Sequence, residues 1–168
     1  MSDIYISRQP LVNRQSKIIA TRLTLHLDGG ATTQDAANTL SALTEYWPQG
    51  EKLVFINCGN ISCDSALLDW PAPENVTLEV HSASLLDPSA GDFLAALQSA
   101  HPSLCLVHDV QAQAALAKGV NFRFIAFDAQ HSTPRSCGLW RQRCSLSASP
   151  WRLTFMTVRV SRPASTPA

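Results

Sequence analysis

A chain of 168 residues holds one domain with a sizeable core and is too short for two comfortable ones. Hydrophobic residues make up 45% and charged residues 15%, an ordinary globular composition in which the longest apolar runs are strand-sized and none is long enough to span a membrane. Thirteen Lys and Arg balance thirteen Asp and Glu, but every acid precedes residue 132, and the six Arg beyond it are scattered rather than clustered, which argues against a nucleic-acid-binding tail.

Met1-Ser2-Asp3 lacks the basic start and apolar core of a secretory signal, so a cytoplasmic location is expected. Ile4-Tyr5-Ile6 reads as a short strand broken by Arg8-Gln9-Pro10, and Asn13–Ser16 as a turn. Lys17–Leu27 is strand-like and closed by Asp28-Gly29-Gly30. The next segment predicts a helix capped by Thr32 or Thr33, with Ala36, Leu40, Leu43 and Trp47 on one face, ended by Pro48 and Gly50. Strands follow at Leu53–Asn57 and Val76–Val80, around a short helix at Ser65–Asp69. Asp87-Pro88 has the form of an N-cap with proline at the first helical position, opening a helix through Phe93, Leu94 and Leu97. Leu104–Val107 is a strand, Gln111–Lys118 a helix with Gly119 behind it, and Phe122–Phe127 a strand ending at Asp128. Strands alternating with helices predict an α/β fold built on a parallel sheet or barrel, in which ligand groups sit where the strands stop.

The segment Ser132–Ala168 differs in kind. It holds seven Ser, six Arg, four Pro and no acid, and offers one strand, Arg152–Val160. Its composition predicts a second region, 132–168, foreign to the fold of 1–131, as translation out of frame would produce; a genuine Ser/Arg/Pro-rich extension is the alternative. Five cysteines (Cys58, Cys63, Cys105, Cys137, Cys144) without a C-x-x-C pair do not supply a zinc site, and buried, reduced thiols are expected.

IYISRQPLVNRQSKIIATRLTLHL resembles the opening of EAL-type cyclic di-GMP phosphodiesterase domains, in the branch joined to HDOD domains of bacterial signalling proteins. LVFINCG then resembles the family's strand ending in asparagine, VTLEV its strand ending in glutamate, LVHDV its Asp-Asp-Phe segment and IAFD its Lys-Ile-Asp strand. The likeness runs from Ile4 to Gln130; the RQP turn is its most specific part, and the order of the later motifs supports it. It implies an incomplete TIM-type (β/α) barrel of about five parallel-type strands plus a short N-terminal strand. It also implies that Asn57, Glu79, Asp109 and Asp128 occupy positions that bind divalent metal or stand beside it. At four other positions the family's residue is lost: Arg22 stands for the signature glutamate, His26 for a phosphate-binding arginine, His108 for the first aspartate and Ala126 for the lysine. The later strands of the family are missing.

Metal-assisted phosphodiester hydrolysis needs oxygen ligands around Mg²⁺ or Mn²⁺. A guanidinium has no lone pair to give. Two unit positive charges at 4 Å repel by about 4 kcal/mol at an effective dielectric of 20, and a dication roughly doubles that. No catalytic residue, resident metal or cofactor is therefore expected, and cyclic di-GMP binding is not expected either. The expectation is an inactive regulatory or protein-interaction module, which associates with a partner or with itself through the open barrel edge and touches neither nucleic acid nor membrane. A metal-dependent phosphodiesterase using Mg or Mn and a non-hydrolysing dinucleotide sensor are the alternatives. Asp109 also suits a helix cap, and His26, His81 and His108 suit ordinary polar positions better than a metal cluster. Asp3, Ser65 and His101 give no basis for a triad. Arg22, sharing a strand face with Thr24, is expected to serve as internal counter-ion to Glu79.

Overall fold

Seven strands form one sheet whose spatial order is the order of the chain. The computed structural model describes residues 3–12, 15, 17–28, 30–47, 52–58, 65–88, 91–99, 103–128 and 154–158. Cys63, Cys137, Cys144, most of the Asn13–Ser16 turn and most of the 132–168 segment lie outside the described residues. β1 (Asp3–Val12) runs antiparallel to β2 (Ile18–Asp28), with Ile4 opposite Leu27 and Leu11 opposite Ala20. β3 (Leu53–Asn57), β4 (Val76–His81), β5 (Ser103–Val107), β6 (Phe124–Asp128) and β7 (Thr154–Val158) then follow β2 in parallel. The architecture is thus α/β with a mostly parallel sheet.

Two expectations about strands need correction. Pro10 does not break the first strand, which continues to Val12 with Pro10 opposite Thr21. Among the described residues β1 pairs only with β2 and lies at the edge of the sheet, where a missing N–H on the outward side removes no ladder bond. The strand expected at Arg152–Val160 is present at Thr154–Val158, and the strand count changes with it. Thr154–Val158, all β-branched or aromatic except Met156, adds a sixth parallel strand beyond the five expected, with Thr154 opposite Phe124.

Alternation divides the sheet into two faces. Leu25, Val54, Ile56, Val76, Leu78, Val80, Leu104, Leu106 and Ile125 pack against helix residues that include Ala36, Leu40, Leu67, Leu85, Ala112 and Ala115. The opposite face carries a smaller cluster of Leu11, Ala20, Phe55, Cys105, Phe124 and Ala126. Phe55 on β3 and Phe124 on β6 meet edge to face, with ring centroids 5.3 Å apart and planes at 72°. On a flat sheet, three strand spacings would separate them by about 14 Å. This face is concave, and burial on both sides explains why the parallel strands read as continuous apolar runs.

The helices lie at α1 (Thr33–Ala42), α2 (Ser65–Leu68), α3 (Ser82–Leu86), α4 (Gly91–Ser99) and α5 (Ala112–Leu116). Thr32 caps α1 reciprocally with Asp35: the Asp35 N–H donates to Thr32 Oγ1 at 3.3 Å, and the Thr32 N–H donates to Asp35 Oδ2 at 2.8 Å. The Thr32 backbone N–H and hydroxyl, both donating to Asp35 Oδ2, hold its carboxyl below its usual range. Thr32→Ala is expected to lower the thermal midpoint by a few degrees, read by circular dichroism. α1 stops at Ala42, earlier than the spacing predicts, and a 3-10 turn at Thr44–Tyr46 carries Trp47 to an edge-on contact with Trp70 at 5.8 Å.

The helix expected to open at Asp87-Pro88 instead begins at Gly91, and an unforeseen helix, α3, follows β4 directly. Asp87 is the extended C-cap of α3, with φ −62° and ψ 127°, because the residue before a proline is driven out of the helical region. α5 is shorter than Gln111–Lys118, and Gly119 behind it takes the left-handed conformation at φ +79°.

Candidate functional site

The pairing register sets one row of residues across the concave face: Thr24, Asn57, Glu79, Cys105 and Phe124. Arg22 precedes Thr24 by two residues on the same face of β2. Its side chain crosses β3 and reaches Glu79, which is only 1% exposed. Arg22 Nε donates to Glu79 Oε2 at 3.0 Å and Nη2 donates to the same oxygen at 2.5 Å. Asn57 Nδ2 donates to it as well, at 2.5 Å. Three N–H groups converge on one carboxylate oxygen, while the other, Oε1, is buried with no partner among the described residues. The expected counter-ion contact is present, and it is asymmetric: one edge of the guanidinium holds one oxygen rather than bridging two.

These residues do not fit a divalent cation as they stand. Asn57 turns its amide donor rather than its carbonyl toward Glu79, the Oε2 lone pairs are occupied, and the nearest charge is positive. Among the described residues no group of three or more His, Cys, Asp or Glu converges in a way that could hold a metal ion.

The remaining positions are spread along the carboxyl ends of the strands. Asp109 is exposed, and its Oδ1 accepts from the Gln111 N–H at 2.8 Å, so it shapes the turn into α5 rather than joining Glu79. Asp128 ends β6, and its side chain lies outside the described residues. Ala126 is buried on the concave face, and its carbonyl accepts from the His108 N–H at 2.8 Å. His26 is exposed, with Nε2 2.9 Å from Ser7 Oγ. His81 closes β4, with Nε2 buried and unpartnered among the described residues.

Two neighbours escaped the reading of the sequence. Thr77 Oγ1 is buried beside Glu79 on the same face of β4, without a partner among the described residues. Cys105 lies opposite Glu79, and burial, reinforced by the Glu79 charge, pushes its thiol well above the usual range. Alternation along β4 places Thr77 beside Glu79, while Cys105 is placed only by the register of β4 against β5.

Burial pushes the His108 pKa down, against the opposing pull of the Asp109 charge. The folded chain therefore binds a proton at His108 less readily than the unfolded chain. Its contribution to stability is complete above the unfolded value and declines as pH falls below about 6.5 toward the lower folded value. Urea midpoints at pH 7.5 and 5.5 should differ less in His108→Gln than in the parent protein; an equal difference would rule out this role.

Comparison with protein-family models, curated proteins and solved structures returns no match to the chain.

Proposed function

We propose that the chain is a degenerate segment of an EAL-like (β/α) barrel that no longer hydrolyses cyclic di-GMP and acts as a protein-interaction module in bacterial signalling. The observation that carries this reading is the Arg22 guanidinium seated on the buried Glu79 carboxylate. A hydrolytic centre of the two-metal kind needs that carboxylate free for a cation. Here a fixed side-chain cation neutralises it, and Asn57 reinforces the arrangement. The order of motifs from RQP to IAFD supports the ancestry, and the strand-then-helix succession is compatible with it. The interaction part is supported by exposed Tyr5, Val12, Ile18 and Ile19 on the edge hairpin, together with an edge strand that among the described residues pairs on one side only.

The test is direct. Purified protein incubated with cyclic di-GMP and either Mg²⁺ or Mn²⁺ should yield no linear dinucleotide above a buffer control, and calorimetric titration of the same mixture should show no saturable heat. Product formation would restore the phosphodiesterase alternative. Saturable heat without product would make the chain a sensor.

A further inference from the structure

The β1–β2 ribbon outruns the rest of the sheet. β2 pairs with β3 only from Ala20 to Thr24, whereas its pairing with β1 continues to Asp28. Beyond Thr24 the ribbon overhangs the carboxyl ends of the parallel strands, and its residues on the concave side include Tyr5, Ser7, His26 and Asp28, all exposed. Beneath this overhang lies Arg22, with 15% of its side chain exposed. The inner edge of its guanidinium, Nε and Nη2, is committed to Glu79. Its outer edge, which includes Nη1, has no acceptor among the described residues. Glu79 fixes the orientation of the group, so an incoming acceptor meets a preorganised donor fork.

We propose that this outer edge binds a carboxylate, supplied by an acidic side chain of a partner protein. The inference rests on the interaction-module reading and names the chemistry the partner brings. An arginine fork matches the planar, two-oxygen geometry of a carboxylate. Because Glu79 already compensates the Arg22 charge, a monoanion suits the site better than a doubly charged phosphate. The exposed His26 ring, held by Ser7, stands at the rim, where a second polar contact is available.

The experiment follows the Arg22 Nε–H resonance, identified by its absence in Arg22→Lys, while sodium acetate is titrated against sodium chloride at equal ionic strength. Acetate should produce a saturable shift of this resonance with a Kd on the order of 10 mM, as a single bidentate contact warrants. A blocked peptide of six glutamates should bind at least about tenfold tighter than acetate, and one of six glutamines should not bind, if the carboxylate comes from a protein. Tighter binding of the peptide supports the protein source; a peptide no better than acetate overturns that source and leaves a free small carboxylate. Chloride matching acetate, or a saturable shift confined to resonances away from Arg22 and His26, overturns the site itself. The titrations are read on the unaltered protein; Arg22→Lys serves only to assign the Nε–H resonance, which its Overhauser contact with the Asn57 side-chain amide, bound to the same Glu79 oxygen, assigns independently. Turnover of cyclic di-GMP would remove the functional reading without touching this result, and absent carboxylate binding would remove this inference without creating turnover.

Discussion

Arg22→Ala is expected to lower the unfolding free energy by about 3–5 kcal/mol, the cost of stripping one partner from a buried ion pair. Glu79 is 1% exposed, and the variant would leave it with Asn57 as its donor and with Oε1 still unpartnered among the described residues. The ordinary stability of a single domain is about 5–15 kcal/mol, so the loss is a large share of the whole. Urea denaturation measures it, with Arg8→Ala on the exposed edge strand as a control expected to change stability by under about 0.5 kcal/mol. The single deletion should be far worse than replacing both partners: Arg22→Met combined with Glu79→Leu removes the charges together and should recover most of the loss. An Arg22→Ala cost below about 1 kcal/mol would mean that the guanidinium does not sustain the buried carboxylate.

Phe55→Ala should cost a similar amount, about 3–5 kcal/mol, for a different reason. The ring is 1% exposed and fills the middle of a small cluster whose other members include Ala20, Cys105 and Ala126. Small neighbours on a hydrogen-bonded sheet cannot collapse into the space it leaves, so the cavity penalty adds to the lost transfer energy. Its edge-to-face partner Phe124 permits a double-mutant cycle, in which a coupling of about 0.5–1.5 kcal/mol is expected beyond simple burial. Additive effects of the two alanine variants would show that the rings do not pack across the concave face.

Much of the sheet was legible because its strands are buried on both faces. LVFIN, VTLEV and SLCLV are apolar runs that fit few other places than the middle of a parallel sheet. The meeting of Arg22 and Glu79 was legible too, since alternation puts Arg22 and Thr24 on one face and parallel order brings that face toward β4. The convergence of Asn57 on the same oxygen required a register, and register arises from pairings distant in sequence. Asp87-Pro88 misled because one dipeptide serves both a helix start and a helix stop, and only the preceding α3 decides between them. Pro10 misled because a proline that disqualifies an interior strand is harmless on an edge. Asp109 reads as a helix cap; its carboxylate does accept from the Gln111 N–H, but Gln111 is the N-cap of α5, and Asp109 shapes the turn ahead of it.

Because spatial order equals chain order, every strand is laid beside the one made just before it. No pairing has to wait for a distant part of the chain, so loop-closure entropy stays low at each addition of a strand. Among the contacts that skip a neighbouring strand is the bridge from Arg22 on β2 to Glu79 on β4, separated by 57 residues. It acts as a latch: the carboxylate on β4 is buried with its compensating charge only if β2 and β3 are already in register, so a chain that has slipped on β2 or β3 meets an uncompensated charge before β5 is added.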